Sequence, residues 1–533
     1  MIRKIVLIFI LAGFSGLLSG QASRAMKEAK RLVFFGNYQA ALPYIQMLYR
    51  SDTSNAYYNY LLGHCLFQLP KEKPMALPFL KRSVQSTSAS IEEWSPNERN
   101  APNKAWLFYG MSLHHHYRFA LAIQAYKKYL TLCDPSEKAM IEQYIFSCES
   151  AMKIMKDSIE ISIENLGNII NSEYDEHTPV ISSDETTIIF TSRRQGGTGN
   201  ELTDDGKYFE DIYIARQEYG RWSAPVGISP NINTPRHEAS ITLSYDGTEL
   251  FIYKDDFGIG NIYYSKLKNN EWSVPVKLGS NINTQSNETH ATLSPDGQML
   301  IFTSDRPGGK GGKDLYSCQR LPNGEWGVAV PMSDVINTPF EEEGPFFHPD
   351  GYTLYFSSTG HNTIGGYDLF YCELQPDGSW SNPVNMGYPI NTTDDELFYV
   401  LSADGKRAYF SSIREEGFGG KDLYVMNLLS LPEKSSTVIK GVVKIAGTNV
   451  VPEDLVISVK DLSTKKLVGK YKPNRETGVY TMILKQGRDY EFSCETPHCR
   501  FTPEVINVPD KSAFNIINKP IELNPIGVIE KTD

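Results

Sequence analysis

Five glutamates have the spacing in this sequence that most invites a chemical reading. Glu176, Glu238, Glu288, Glu342 and Glu396 each stand five residues after an asparagine (Asn171, Asn233, Asn283, Asn337, Asn391) and eight before an aspartate (Asp184, Asp246, Asp296, Asp350, Asp404). Carboxylates repeated in this way and gathered around one axis raise one another's proton affinity and attract cations or basic side chains. The ring is therefore the candidate binding site, at one end of a central channel. Its structural alternative is that each glutamate hydrogen-bonds the backbone or a hydroxyl of a neighbouring unit and recurs because the fold recurs.

Other chemistry is sparse. The sequence has no Gly-Lys-Ser/Thr phosphate loop, no Gly-x-Ser-x-Gly elbow and no His-Glu-x-x-His zinc helix, so catalytic residues, metal ligands and cofactors are expected to be none. Carboxylates alone do not make a glycosidase, which needs an acid and a base facing each other at a defined separation. His114, His115 and His116 are consecutive on an expected helix and point in different directions, so they read as surface or packing. Asp211, Asp314, Asp368 and Asp422, with Asn261 in the second repeat, read as turn-stabilising side chains. Trp222, Trp272, Trp326 and Trp380 read as packing residues rather than sugar platforms.

The elements that must position the glutamates follow from the repeat. Asparagine and aspartate are always 13 residues apart, whereas successive aspartates lie 62, 50, 54 and 54 residues apart, so a fixed unit alternates with variable loops. Self-similarity at this period marks a propeller or solenoid. Each unit has a strand before its aspartate and a turn at it, of the form Asp-Gly in four copies and Asp184-Glu185 in the other. A second strand follows (Ile188–Phe190, Leu250–Ile252, Leu300–Phe302, Leu354–Phe356, Ala408–Phe410), then a third beginning at 211, 261, 314, 368 or 422 and a fourth announced by the tryptophan. Four strands per unit make a propeller blade. The fifth unit lacks a tryptophan strand, while Ile161–Asn171 has no unit of its own, so the N-terminal strand is expected to complete the last blade. The count is five blades, with a degenerate sixth as the alternative. The long loop Arg193–Tyr208 is expected to be exposed and mobile.

Around this propeller, taken as residues 159–430, the chain divides further. Residues 1–22 have the layout of a cleaved secretory signal peptide: Arg3 and Lys4, an apolar run from Ile5 to Leu18, then small residues. Residues 23–158 carry apolar positions at helical spacing in pairs, with small residues at Ala41, Gly63, Ala76, Gly110 and Ala122 where helices can approach closely. Residues 437–523 alternate as short strands with turns and read as a small β-sandwich, followed by a tail, 524–533. Cys494 and Cys499 flank a short turn and are the candidate disulfide; an odd count of seven cysteines leaves at least one thiol unpaired. The net charge of −11 argues against nucleic acid as a partner.

Several of these strings resemble known repeats. Leu62-Gly63 and Gly36-Asn37-Tyr38-Gln39-Ala40-Ala41 resemble the tetratricopeptide repeat, which offers a concave groove to partners. Ser294–Ser304 and Gly311–Tyr316 look like propeller repeats of the TolB type. Asn474-x-x-Thr477-Gly478-x-Tyr480, followed by Gly487-x-x-Tyr490, is similar to carboxypeptidase-regulatory-like domains. The joint order resembles PorE-like periplasmic proteins of Bacteroidetes. That resemblance implies a non-enzymatic periplasmic scaffold, peripheral to the outer membrane, whose partners are proteins of the type IX secretion system. Such proteins continue into an OmpA-like domain, whereas this chain stops at Asp533, so peptidoglycan is not an expected partner. The alternative is a soluble glycan- or peptide-binding propeller module unrelated to secretion.

Overall fold

The computed structural model describes all residues except 1–20, 183–184, 245–246, 269–270, 376, 403–404, 415, 429–435, 446–450, 453, 474–477, 511–514 and 527–533. The signal-peptide run therefore lies outside the described residues, as do the hairpin aspartates Asp184, Asp246 and Asp404.

Seven α-helices come first among the described residues: 21–34, Tyr38–Ser51, Ala56–Phe67, Leu77–Ser83, Ala105–His115, Phe119–Leu130 and Lys138–Ile154. Asn37 and Asn55 start the second and third by accepting backbone N–H groups of the first turn on their side chains. The helix Ala56–Phe67 is apolar around its circumference because it is enclosed by its neighbours. Gly63 and Gly110 are where helices touch. A Cβ on either would come within 2.6 Å of Leu80 or of the Tyr126 ring. None of these helices is long and apolar enough to cross a membrane.

Five antiparallel sheets follow, and their inner strands are Glu176–Ile181, Glu238–Leu243, Glu288–Leu293, Glu342–Phe347 and Glu396–Leu401. Each inner strand touches the next, and the fifth touches the first. The ring is made by contacts between separate sheets rather than by one sheet closing on itself, which is the arrangement of propeller blades. In the fifth sheet the outermost strand is Ser162–Asn165, paired antiparallel with Asp422–Asn427. Chain entry and chain exit are thus joined in one blade.

Two expectations are corrected here. The tryptophans do not begin the fourth strands: Trp222 and Trp272 pair back onto the third strand across a tight hairpin, and Trp326 and Trp380 bridge to Arg320 and Leu374. The outer strands start four residues later, at Val226, Val276, Val330 and Val384. The loop Arg193–Tyr208 is largely exposed, as expected, but it is tied down rather than loose. Arg193 donates to Asp205 Oδ2 at 2.9 Å and to the Tyr208 carbonyl at 2.6 Å, and Lys207 reaches Asp175 at 2.6 Å.

The C-terminal unit is a two-sheet sandwich. Ser436–Ile445 pairs with Val479–Lys485 and, in parallel, with Asn515–Asn518 and Ile521–Pro525; the facing sheet runs Leu467–Tyr471, Val456–Asp461, Arg488–Glu495, Glu504–Val508. The expected Cys494–Cys499 bond is absent and both thiols are free. Cys494 sits in the second sheet, while Cys499 pairs opposite Pro525 in the first, so the turn carries the chain across the core instead of closing a loop.

The helices and the sandwich occupy opposite ends of the ring. Where inner strands begin, His114 Nε2 donates to the Ile364 carbonyl at 2.7 Å and Gln143 donates to the carbonyls of Thr359 and His361. Asp394 there pairs with Lys73 and stands 3.3 Å from His115 Nδ1. Burial pushes His114 down to about 4, so its imidazole is neutral and donates as a packing group. At the other end, where inner strands finish, Tyr471–Pro473 and Val479–Ile483 of the sandwich face the channel mouth.

Candidate functional site

The glutamate ring does not line the channel. All five are fully buried and point into their own blades. Each carboxylate accepts the backbone N–H of the residue four before it (Ser172, Thr234, Thr284, Thr338, Thr392) at 2.8–2.9 Å, and that residue's hydroxyl also donates to it. The second strand supplies a further donor sixteen residues on: Ser192, Ser304, Ser358 or Ser412, and in the second blade Lys254 at 3.0 Å. Arg194 and Arg306 add a guanidinium at 3.1 and 3.0 Å. The binding-ring expectation is therefore corrected. With both oxygens of each carboxylate accepting inside the blade, these glutamates lock the loop that precedes the inner strand.

Neutralisation varies around the ring. Glu342 is reached by the same N–H and hydroxyl donors, but His361 occupies the arginine's place and donates to the Ile336 carbonyl instead. Burial raises Glu342 to about 7. Glu396 rises to about 8, again chiefly through burial, its Arg414 standing off at 4.0 Å.

The repeated asparagines are joints between blades. Asn233, Asn283, Asn337 and Asn391 each accept the N–H and donate to the C=O of one third-strand residue in the preceding blade: Ile212, Ile262, Leu315 and Leu369. Asn171 does the same to Leu423, at 2.8 and 2.9 Å, and so ties the first blade to the last. The Gly-Gly pairs serve the same joint. A Cβ on Gly311 or Gly419 would sit 1.8 Å from a carbonyl oxygen of the next blade, that of Phe340 or Tyr174. The third-strand aspartates accept loop N–H groups, such as Lys310 and Gly311 on Asp314, as turn stabilisers do.

The channel is lined by the residues just after the glutamates, which the sequence analysis passed over. All five inner strands carry a β-bulge. In four of them the residue two places after the glutamate turns toward the axis: Thr178, His290, Gly344 and Phe398. Thr178 and Phe398 are held there at φ +47° and +60°, a left-handed conformation costly for side chains of these shapes. Phe398 lies between two imidazoles, with ring centroids 4.5 Å from His290 and 6.0 Å from His177. His290 Nδ1 is 3.4 Å from Glu343, which also pairs with Lys313 at 2.8 Å. His177 and His237 converge on Glu210 at 3.2 and 3.1 Å. These partners hold Glu343 and Glu210 ionised, well below the usual carboxylate range despite burial. The signal in the sequence was a break in repetition: His-Thr, Ala-Ser, Thr-His, Glu-Gly and Leu-Phe follow five identical glutamates. Among the described residues no cluster of three or more His, Cys, Asp or Glu is arranged to hold a metal ion.

The architecture is a helical region followed by a propeller of five blades and a terminal sandwich. No family model matches the sequence, and no curated protein does. Solved structures similar to it include TolB from Acinetobacter baumannii (15% identity over 49% of this chain and 56% of that one, TM-score 0.31). A putative TolB from Agrobacterium tumefaciens aligns at 16% identity over 61% of this chain and 97% of that one, TM-score 0.32. A thermostable family-43 glycoside hydrolase aligns at 13% over 48% and 90%, TM-score 0.34. The chain spans just over half the length of the Acinetobacter protein. At these values no function follows from the likeness.

Proposed function

We propose that the chain is a non-enzymatic periplasmic scaffold, peripherally associated with the outer membrane, that serves a type IX secretion system as a component or accessory. The domain order that resembles PorE-like proteins suggests the system, and the signal-peptide layout supports export. One structural observation supports a scaffold in particular. The helical repeats are fixed to the blade loops by buried hydrogen bonds, yet they leave large apolar side chains in solvent, with Phe34 82%, Met75 53% and Met47 48% exposed. Apolar surface kept on a rigid helical array is what a partner protein covers. A strain lacking the protein is expected to lose secreted cargo from its medium; unchanged secretion contradicts the assignment.

A further inference from the structure

We infer that the channel between the Phe398 waist and the sandwich is a binding chamber for a single-ring, uncharged, polyhydroxylated ligand on the scale of one sugar residue. The inference is independent of the scaffold reading.

The chamber has a floor, walls and a roof. Thr178, His290 and Phe398 form the floor, the ends of the inner strands form the walls, and Tyr471, Pro473 and Thr481 belong to the roof. Its volume is about 200 Å³. Pockets for drug-sized molecules run to roughly 300–1,000 Å³, so this one fits a single ring.

Its chemistry narrows the class. Among the described residues Lys472 is the one charged side chain on its wall. The described lining offers a charged ligand few partners to offset its desolvation. Thr242 and Thr481 line it together with Phe346 and Phe398, while Thr178 spends its hydroxyl on Thr191. A sugar ring presents the same two characters, C–H faces for aromatic rings and hydroxyls for polar groups.

His290 supplies the directional contact. Its Nδ1 is engaged by Glu343 at 3.4 Å and by Thr289 Oγ1 at 3.0 Å. Burial lowers its proton affinity, and in the neutral ring with its proton on Nδ1, toward Glu343, Nε2 is left as an acceptor. No side chain among the described residues satisfies Nε2. A ligand hydroxyl would. Strained backbone at Thr178 and Phe398, on the floor of the same chamber, is a mark of sites kept for binding.

The position in the repeat agrees. In five copies of one strand the glutamate is constant, whereas the positions that follow it, among them those that line the chamber, differ from blade to blade. A lining that differs on every side suits an asymmetric ligand, which five identical side chains could not read.

The test is calorimetric titration of the full chain with D-glucose, D-galactose, D-xylose and N-acetyl-D-glucosamine. At least one is expected to bind saturably. His290→Asn retains a donor at the Nδ1 position toward Glu343 and removes the Nε2 acceptor, so it is expected to weaken that binding at least tenfold with little change in the thermal unfolding midpoint. Phe398→Gly accepts the same φ without strain, removes the floor ring and is expected to weaken binding similarly. Absence of saturable binding across the panel, or binding unchanged in both variants, overturns the inference.

Discussion

Two rings of side chains run around the propeller on the same five strands, one or two residues apart, and they differ in every respect. The glutamate ring is uniform in residue type, fully buried and supplied with donors from its own blade. The next ring is different in each blade, faces the axis and is held in bulged, partly left-handed backbone. Repetition of a charged residue in a symmetric fold is thus a statement about the repeat's construction. Departure from repetition, at a position where the backbone is strained, is where a ligand can be distinguished.

That contrast can be broken by substitution. The largest effect is expected at the joint that closes the ring. Asn171→Ala strands the buried Leu423 N–H and removes the asparagine's donations to the Leu423 carbonyl, which keeps only the Leu166 N–H, and to Asn165 Oδ1, at a cost of about 2–4 kcal/mol. Chemical denaturation should register it as a lower midpoint and as early exposure of the first and fifth blades to amide exchange. Glu288→Gln should come next, because it leaves Arg306 without its buried counter-charge, at a cost of about 3 kcal/mol. Ligand affinity of the folded fraction should be unchanged by it, which sharpens the division between the two rings.

The smallest effect concerns acid. Asp394 is held down to about 2 against an ordinary 3.8, despite burial, by His115 and Lys73 of the helical region. A depressed carboxylate contributes stability above its unfolded value and loses it as pH falls. The contribution, up to about 2 kcal/mol, should be full above pH 4 and vanish between about pH 4 and pH 2. Asp394→Asn should flatten that part of the stability profile. Glu342 and Glu396 act in the opposite sense, since their raised values favour the fold at low pH and this advantage is lost as pH rises toward 7–8.

Much of the scaffold was legible in the sequence because it is written in local patterns. Gly63 and Gly110 do mark places where helices touch, and the orphan N-terminal strand does complete the fifth blade. What escaped depends on tertiary approach. The Gly-Gly pair is a close contact with the next blade's carbonyl, invisible until blades are placed side by side. The tryptophans were displaced by a tight hairpin that inserts four residues before the outer strand. Cys494 and Cys499 are near in sequence but belong to opposite sheets. The site was misread for a related reason. Spacing placed the glutamates at the head of the inner strand correctly, but the strand's bulge decides which side chains turn to the axis, and no local pattern announces it.

The scaffold reading is tested most directly by cross-linking in the native cell, purifying the full chain and identifying what accompanies it. Recovery of outer-membrane secretion components, lost when Phe34 and Met75 are replaced by aspartate in a chain that still folds, is the predicted result. Recovery of no such component, with the protein free in the periplasmic fraction, would contradict it.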